Sequence, residues 1–231
     1  MKLSSEENVQ FPTNCVVVGI VQIKKQIDYE EITQLNFTVV ALDAGVPQLN
    51  SSAAVLVQVK NVNDNSPVFD RPSYSASIDE NSPKGSRVLT VRATDADVGE
   101  FGRVTYALTG EHSENFNIDL ETGEITVKNS KFLDHEILNE TTIQVVAADG
   151  APGNLKRTNS LPVSINIRDV NDNAPKFSQP VYNATVIENV RLNPPIAIIQ
   201  VNATDQDVGV HGNVHYKIIT GNEKGGALLF R

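Results

Sequence analysis

Cysteine is almost missing from this chain. Cys15 is the single one, which excludes an internal disulfide. Its surroundings, "NCVVVGI", read as a strand carrying a small buried hydrophobe; no histidine lies nearby in sequence to make a catalytic thiol. There is no tryptophan. Long apolar runs are also lacking. The longest, such as "CVVVGIV" at 15–21, fall far short of the ~20 residues a membrane helix needs. The opening "MKLSSEENVQ" holds one Lys and no apolar h-region, so no signal peptide is read there. These absences leave room for a secreted or membrane-anchored parent of which this segment is an interior piece. Basic charge is scarce: 19 Lys and Arg against 28 Asp and Glu give a net charge of −9 and a pI near 4.9. An acidic surface repels phosphate backbones, which argues against nucleic acid as a partner.

What the chain does have is internal repetition. "VNDNSPVF" at 62–69 returns as "VNDNAPKF" at 170–177. "IDYE" (27–30) returns as "LDHE" (133–136), and "VVALDAG" (39–45) as "VVAADGA" (145–151). "ATDADVGEFGRVTY" (93–106) returns as "ATDQDVGVHGNVHY" (203–216), and "IDEN" (78–81) as "IEN" (187–189). The shifts all lie between 106 and 110 residues and keep one order. The 231 residues therefore divide into a later half-unit at 1–65, a complete unit at 66–173 and an earlier half-unit at 174–231. Between the landmarks, apolar residues alternate. Val163, Ile165 and Ile167 share one face of "PVSINIR", and Ile143, Val145 and Ala147 share one face of "TIQVVAA". "RVLTVRAT" (87–94) and "AVLVQVK" (54–60) also read as strands. No sustained helical period occurs. The fold class is all-β: tandem, immunoglobulin-like, seven-stranded Greek-key β-sandwiches, one per unit of about 108 residues. A whole unit of that size can bury its own core, whereas a half-unit cannot cover its own.

The most faithfully repeated positions are not apolar. They are Asp, Glu and Asn beside strand ends, and such a pattern asks for a ligand. Catalysis by general acid and base uses two carboxylates, and Asp134 with Glu136 would be the pair for a glycosidase. A hard divalent cation needs six to eight oxygens and fits the larger groups better. His135 and His211 have no histidine counterparts at Tyr29 and Phe101, which argues against zinc or copper. In an extended linker, Asn63 and Asn65 point one way and Asp64 the other, so one strand can serve ions on both sides. Pro67 holds Ser66 extended. A plain turn explains one "NDN" string, but not two in register with DxE and DxD. A metal-free immunoglobulin-like binding module leaves the repeated acids unexplained.

Together these motifs, "IDEN", "ATDADVGEFGRVTY", "LDHE", "VVAADGAP" and "IRDVNDNAPKF", resemble the extracellular repeat of the cadherin superfamily. The resemblance covers nearly the whole chain and is nearest in style to the protocadherin-like or Fat-like long-array members. It implies a non-enzymatic segment of a calcium-dependent cell-adhesion ectodomain, with three Ca²⁺ at each complete inter-repeat junction. The ligands it implies at the first junction are Asp28, Glu30, Asn63, Asp64, Asn65, Asp95, Asp97 and Asp149. At the second they are Glu80, Asp134, Glu136, Asn171, Asp172, Asn173, Asp205 and Asp207. The early Glu of the first unit and the late Asp of the third have no match. Asn61 departs from the family pattern, which has Asp there, as at Asp169; Phe101 and His211 stand where Asn is usual. The resemblance further implies other cadherin ectodomains as partners and a single-pass plasma-membrane parent, facing outward and anchored beyond this chain. Sequons at Asn36, Asn50, Asn139, Asn183 and Asn202 suit an extracellular glycoprotein. The strand-swapping members' N-terminal Trp has no counterpart, so no homophilic surface is named.

Overall fold

A computed structural model describes residues 17–189, 194 and 196–220, with the backbone of 223–224 and 227–228. Cys15 lies outside the described residues. The other half of its stretch departs from the expectation of a strand. Val17 to Val21 make no ladder, and Val17 is exposed. An apolar run alone does not form a strand; it needs a neighbouring edge, and none pairs with it among the described residues.

The first regular element is a hairpin of β1 (Gln34–Leu42) and β2 (Asn50–Gln58). Leu35 opposes Val57 and Phe37 opposes Val55, so one face of the ribbon is apolar and half-buried. The middle unit follows, as β3 (Val68–Phe69), β4 (Tyr74–Asp79), β5 (Arg87–Thr90), β6 (Ala93–Thr94) and β7 (Thr105–Thr109). It continues with β8 (Phe116–Ile118), β9 (Glu124–Val127), β10 (Glu140–Ala148) and β11 (Thr158–Arg168). Beyond it, β12 (Lys176–Phe177) pairs with β13 (Ala203–Thr204), and β14 (Glu223–Lys224) with β15 (Ala227–Leu228).

The middle unit is a sandwich of a four-stranded sheet, β4-β11-β10-β7, over a three-stranded sheet, β5-β9-β8. Those seven strands are the number expected for the unit. β4 runs parallel to β11, so the first strand closes an edge that the antiparallel β10–β11 pair would leave open. The inward faces are those the alternation marks: Ile143, Val145, Ala147, Val163, Ile165 and Ile167 are all fully buried. They meet Ile125, Val127 and Phe116 from the other sheet, with Val91 from the segment after β5. The stretch "RVLTVRAT" is two strands instead of one. β5 carries a bulge between Arg87 and Leu89 and stops before Val91, whose side chain enters the core and whose N–H donates to the Gly123 carbonyl at 3.0 Å. Tyr106 fixes the restart, because its hydroxyl accepts from the Ala93 amide at 2.7 Å.

Two turns follow from close backbone packing. A Cβ on Gly102 would sit 1.9 Å from the Asp97 carbonyl oxygen, and one on Gly212 would sit 2.1 Å from that of Asp207. Only glycine lets the chain after each DxD curl back this tightly. In 174–220, by contrast, apolar side chains such as Val181, Ile187 and Ile219 are exposed. All five sequon asparagines are exposed. Among the described residues, no helix is long and apolar enough to cross a membrane.

Candidate functional site

The linker at 61–65 alternates in burial: Asn61, Asn63 and Asn65 are half-buried, and Val62 and Asp64 exposed. The burial follows the alternation of an extended chain, but Asn65 Nδ2 also donates to Asp64 Oδ1 at 3.1 Å, so these two side chains meet instead of facing opposite sides. Asn63 turns toward the middle unit. Its Nδ2 donates to Asp149 Oδ2 at 2.7 Å and to the Leu155 carbonyl at 2.6 Å. Its own carbonyl accepts from Arg157 Nε at 3.1 Å. Asn65 donates to Asp97 twice, from its backbone N and from Nδ2, each at 3.2 Å. Asp64 is exposed, and carboxylate oxygens of Glu30, Asp64 and Asp97 lie within 4.8 Å of one another. Asp28 is exposed and accepts the Glu30 amide at 2.9 Å. Asp95 accepts the Asp97 amide at 3.0 Å, which fixes the two acids of the DxD motif relative to each other.

The second linker, at 169–173, repeats the arrangement at Asn173 but not at Asn171, which is exposed. Asn173 donates to Asp207 Oδ1 from its backbone N at 3.2 Å and from Nδ2 at 2.9 Å. Asp205 accepts the Asp207 amide at 3.0 Å. Oxygens of Glu136, Asp172 and Asp207 lie within 4.8 Å of one another, and so do those of Glu80, Glu136 and Asp169. Glu136 therefore belongs to two groups. Glu80 is buried and held from both sides, by the His135 amide at 2.8 Å and the Val170 amide at 2.6 Å. Asp134 caps the Ile137 amide at 3.2 Å and stands outside the close groups, while Asn171 is exposed. Asn81, in a left-handed conformation at φ 55°, donates to Asp172. His135 is a strut, with Nδ1 2.7 Å from the Ile167 carbonyl oxygen.

Asp169 is the acid that the ligand set read from the sequence leaves out. The signal was the departure at Asn61, its counterpart in the first linker, which marks the position as one where a carboxylate belongs. His211 Nδ1 lies 2.8 Å from Asp169 Oδ2. Those two residues are 42 positions apart, so no local pattern could pair them.

The charges are poised against each other. Burial raises the Glu136 carboxyl, its own backbone amide offsets part of this, and the charges of Glu80, Asp172 and Asp134 raise it further. Burial likewise raises Asp95, and the charges of Asp97 and Asp149 add to it. Glu30 is raised by desolvation and by the nearby acids. Asp149 goes the other way. Burial alone would raise it, but hydrogen bonds from Asn63 and from the amides of Arg157 and Ala151, with the Lys156 charge, hold it below the usual range.

A cation fits this donor set. Among the described residues, seven buried side-chain oxygens have no hydrogen-bond partner, and all but the Thr141 hydroxyl sit at the two linkers. They are Asn61 Oδ1, Asn63 Oδ1 and Asp95 Oδ2 at the first, and Glu136 Oε1, Asp169 Oδ1 and Asp207 Oδ2 at the second. Buried oxygens are rarely left unpaired, and three of them among carboxylates at each linker suit a hard divalent ion, which takes oxygen ligands.

Comparison with known proteins gives one family. The family model described as "Cadherin domain" matches residues 74–168. Cadherin-87A of Drosophila melanogaster is 45% identical over 207 residues, covering 90% of this chain and 10% of that protein. Protocadherin Fat 4 of Mus musculus is 39% identical over 212 residues, covering 91% of this chain and 4% of that protein. The chain thus spans a tenth or less of the length of these two relatives. The crystal structure of mouse Cadherin-23 EC22-24 superimposes with a TM-score of 0.74 at 38% identity, over 81% of this chain and 58% of that one.

Proposed function

Because this chain belongs to the cadherin family, we propose that its two NDN linkers are calcium-held joints in a cell-adhesion ectodomain. The observation that carries this reading is the set of six unpaired buried oxygens gathered at the linkers and almost nowhere else among the described residues. Asp28, Glu30, Asn63, Asp64, Asn65, Asp95, Asp97 and Asp149 would hold the ions of the first joint. Glu80, Asp134, Glu136, Asn171, Asp172, Asn173, Asp205 and Asp207, with Asp169, would hold those of the second. A complete joint takes three Ca²⁺, and the joints divide the chain into repeats at 1–65, 66–173 and 174–231.

Bound calcium supplies positive charge and oxygen coordination. The chain's own residues supply the rest. Two carboxylates ~4 Å apart repel by about 4 kcal/mol at an effective dielectric of about 20. The six acids of the first joint carry a formal −6, which three ions balance. Without ions the acids on the two sides of the linker push the repeats apart; with ions they clamp them into a rod. Extracellular modules of this kind bind in the ~10⁻⁴–10⁻³ M range, suited to a protein outside the cell. Its partners would be other cadherin ectodomains, and its parent would be anchored in the plasma membrane by a segment beyond these residues. The family that matches is not a catalytic one, which leaves the Asp134 and Glu136 pair to the joint. Small-angle scattering tests the joint directly. The chain should be longer and narrower in its length distribution in calcium than in chelator, and an identical distribution in both would overturn the proposal.

A further inference from the structure

The two linkers are the same at four of five positions. Residues 61–65 read NVNDN and residues 169–173 read DVNDN, so Asn61 and Asp169 are the one difference. Both side chains have an oxygen in the same predicament: Asn61 Oδ1 and Asp169 Oδ1 are each buried without a partner. Their other atoms are spoken for in opposite ways. Asp169 Oδ2 faces His211 Nδ1 at 2.8 Å, so the imidazole orients the carboxylate, which groups with Glu80 and Glu136, while Oδ1 is left without a partner. Asn61 donates its Nδ2 to the Val98 carbonyl at 3.2 Å, and the residue in the place of His211 is Phe101, which has no polar side-chain atom. The first linker therefore offers a neutral amide oxygen where the second offers an oriented, charged one.

We propose that the two joints load calcium unequally, and that Asn61 lowers the affinity of the first while Asp169, positioned by His211, raises that of the second. This rests on the calcium reading above. Affinity at oxygen-ligand sites follows the number of charged ligands and the rigidity with which they are held, and a ligand held by an outer partner binds better than one left free. Both factors favour the second joint. As calcium falls, the first joint then loosens while the second still holds, and an array of such repeats bends at chosen places.

The experiment is a calcium titration of the full chain followed by amide NMR signals, with Asn65 reporting the first joint and Asn173 the second. Three variants are compared with the parent: Asn61→Asp, Asp169→Asn and His211→Phe. Asn61→Asp should shift the Asn65 midpoint to about tenfold lower calcium and leave Asn173 in place. Asp169→Asn should shift the Asn173 midpoint about tenfold higher, and His211→Phe should move it the same way by less. Midpoints unchanged by all three variants, with calcium still binding at both joints, would overturn the inequality and leave the calcium reading standing. Signals at Asn65 and Asn173 that ignore calcium in the parent would overturn the calcium reading, and the inequality with it.

Discussion

Glu136 shows what a single side chain is asked to do here. It stands in two acid groups at once, one with Glu80 and Asp169 and one with Asp172 and Asp207. Its carboxyl is raised by burial and by those neighbours. For a carboxylate raised in the folded state, the stabilising contribution is complete below the unfolded value and is lost as pH rises through the folded one. Above its raised folded value the ion-free fold therefore carries the ionised Glu136 as a burden, which a cation would turn into an attraction. Glu136→Gln should act with opposite signs in the two states. In chelator at pH 7 the variant should melt at a higher temperature than the parent. In calcium it should bind about tenfold more weakly, since one charged ligand is gone. Melting curves by circular dichroism with and without calcium check both, and a variant that loses stability equally in the two states would mean that Glu136 serves only packing. Acidification should likewise weaken calcium binding as the raised Glu136 takes up its proton.

At the scale of elements, the first linker is docked on one side more firmly than on the other. Asn63, Asn65 and the Pro67 carbonyl bond to Asp149, Leu155, Asp97, Arg157 and Asn159, all in the middle unit. Arg157→Ala removes the donor to the Asn63 carbonyl, so hydrogen exchange at the Asn65 amide should speed up several-fold while amides of β10 and β11 stay as they were. Exchange unchanged at Asn65 would mean the Asp97 bonds hold the linker by themselves. Within the sandwich, Ile143→Ala should cost about 2–5 kcal/mol in denaturant unfolding, because the side chain is fully buried between the sheets. That position was legible in the sequence, as were the inward faces of β10 and β11, since a strand buried on one face must alternate. The break between β5 and β6 was not legible. Alternation continues through Val91, and only the partner strands decide where a ladder ends. The described part of "NCVVVGI", residues 17–20, misleads for a related reason, because β-branched residues favour a strand only where an edge exists to pair with. Of the candidate site, the acids and amides could be read from their repetition. The support from His211 to Asp169 and from Arg157 to Asn63 could not, because the fold alone makes those residues neighbours.

For the whole molecule, the balance of charge and burial decides what calcium is worth. The chain is acidic overall, and among the described residues its close acid groups lie at the two joints. An ion that binds only the folded form stabilises it by RT ln(1 + [L]/Kd). For dissociation constants of ~10⁻⁴–10⁻³ M, calcium at ~2 mM contributes roughly 0.6–1.8 kcal/mol per ion. For a domain of about 100 residues, each kcal/mol moves the melting temperature by about 4–8 °C. Calcium at that level should thus raise the melting temperature of the middle unit by several degrees over chelator. Magnesium should do less, since it demands a small octahedral shell and dehydrates reluctantly. Sodium chloride separates coordination from bare charge. Raising salt from about 0.1 M to about 1 M shortens the screening length from ~10 Å to ~3 Å. If the joints are destabilised by repulsion, the chelated protein should gain stability with salt, and the gain from calcium should shrink without vanishing. A calcium gain that disappears entirely in 1 M salt would reduce the ion to a counter-charge, and one absent at every salt concentration would remove the ion from the joints altogether.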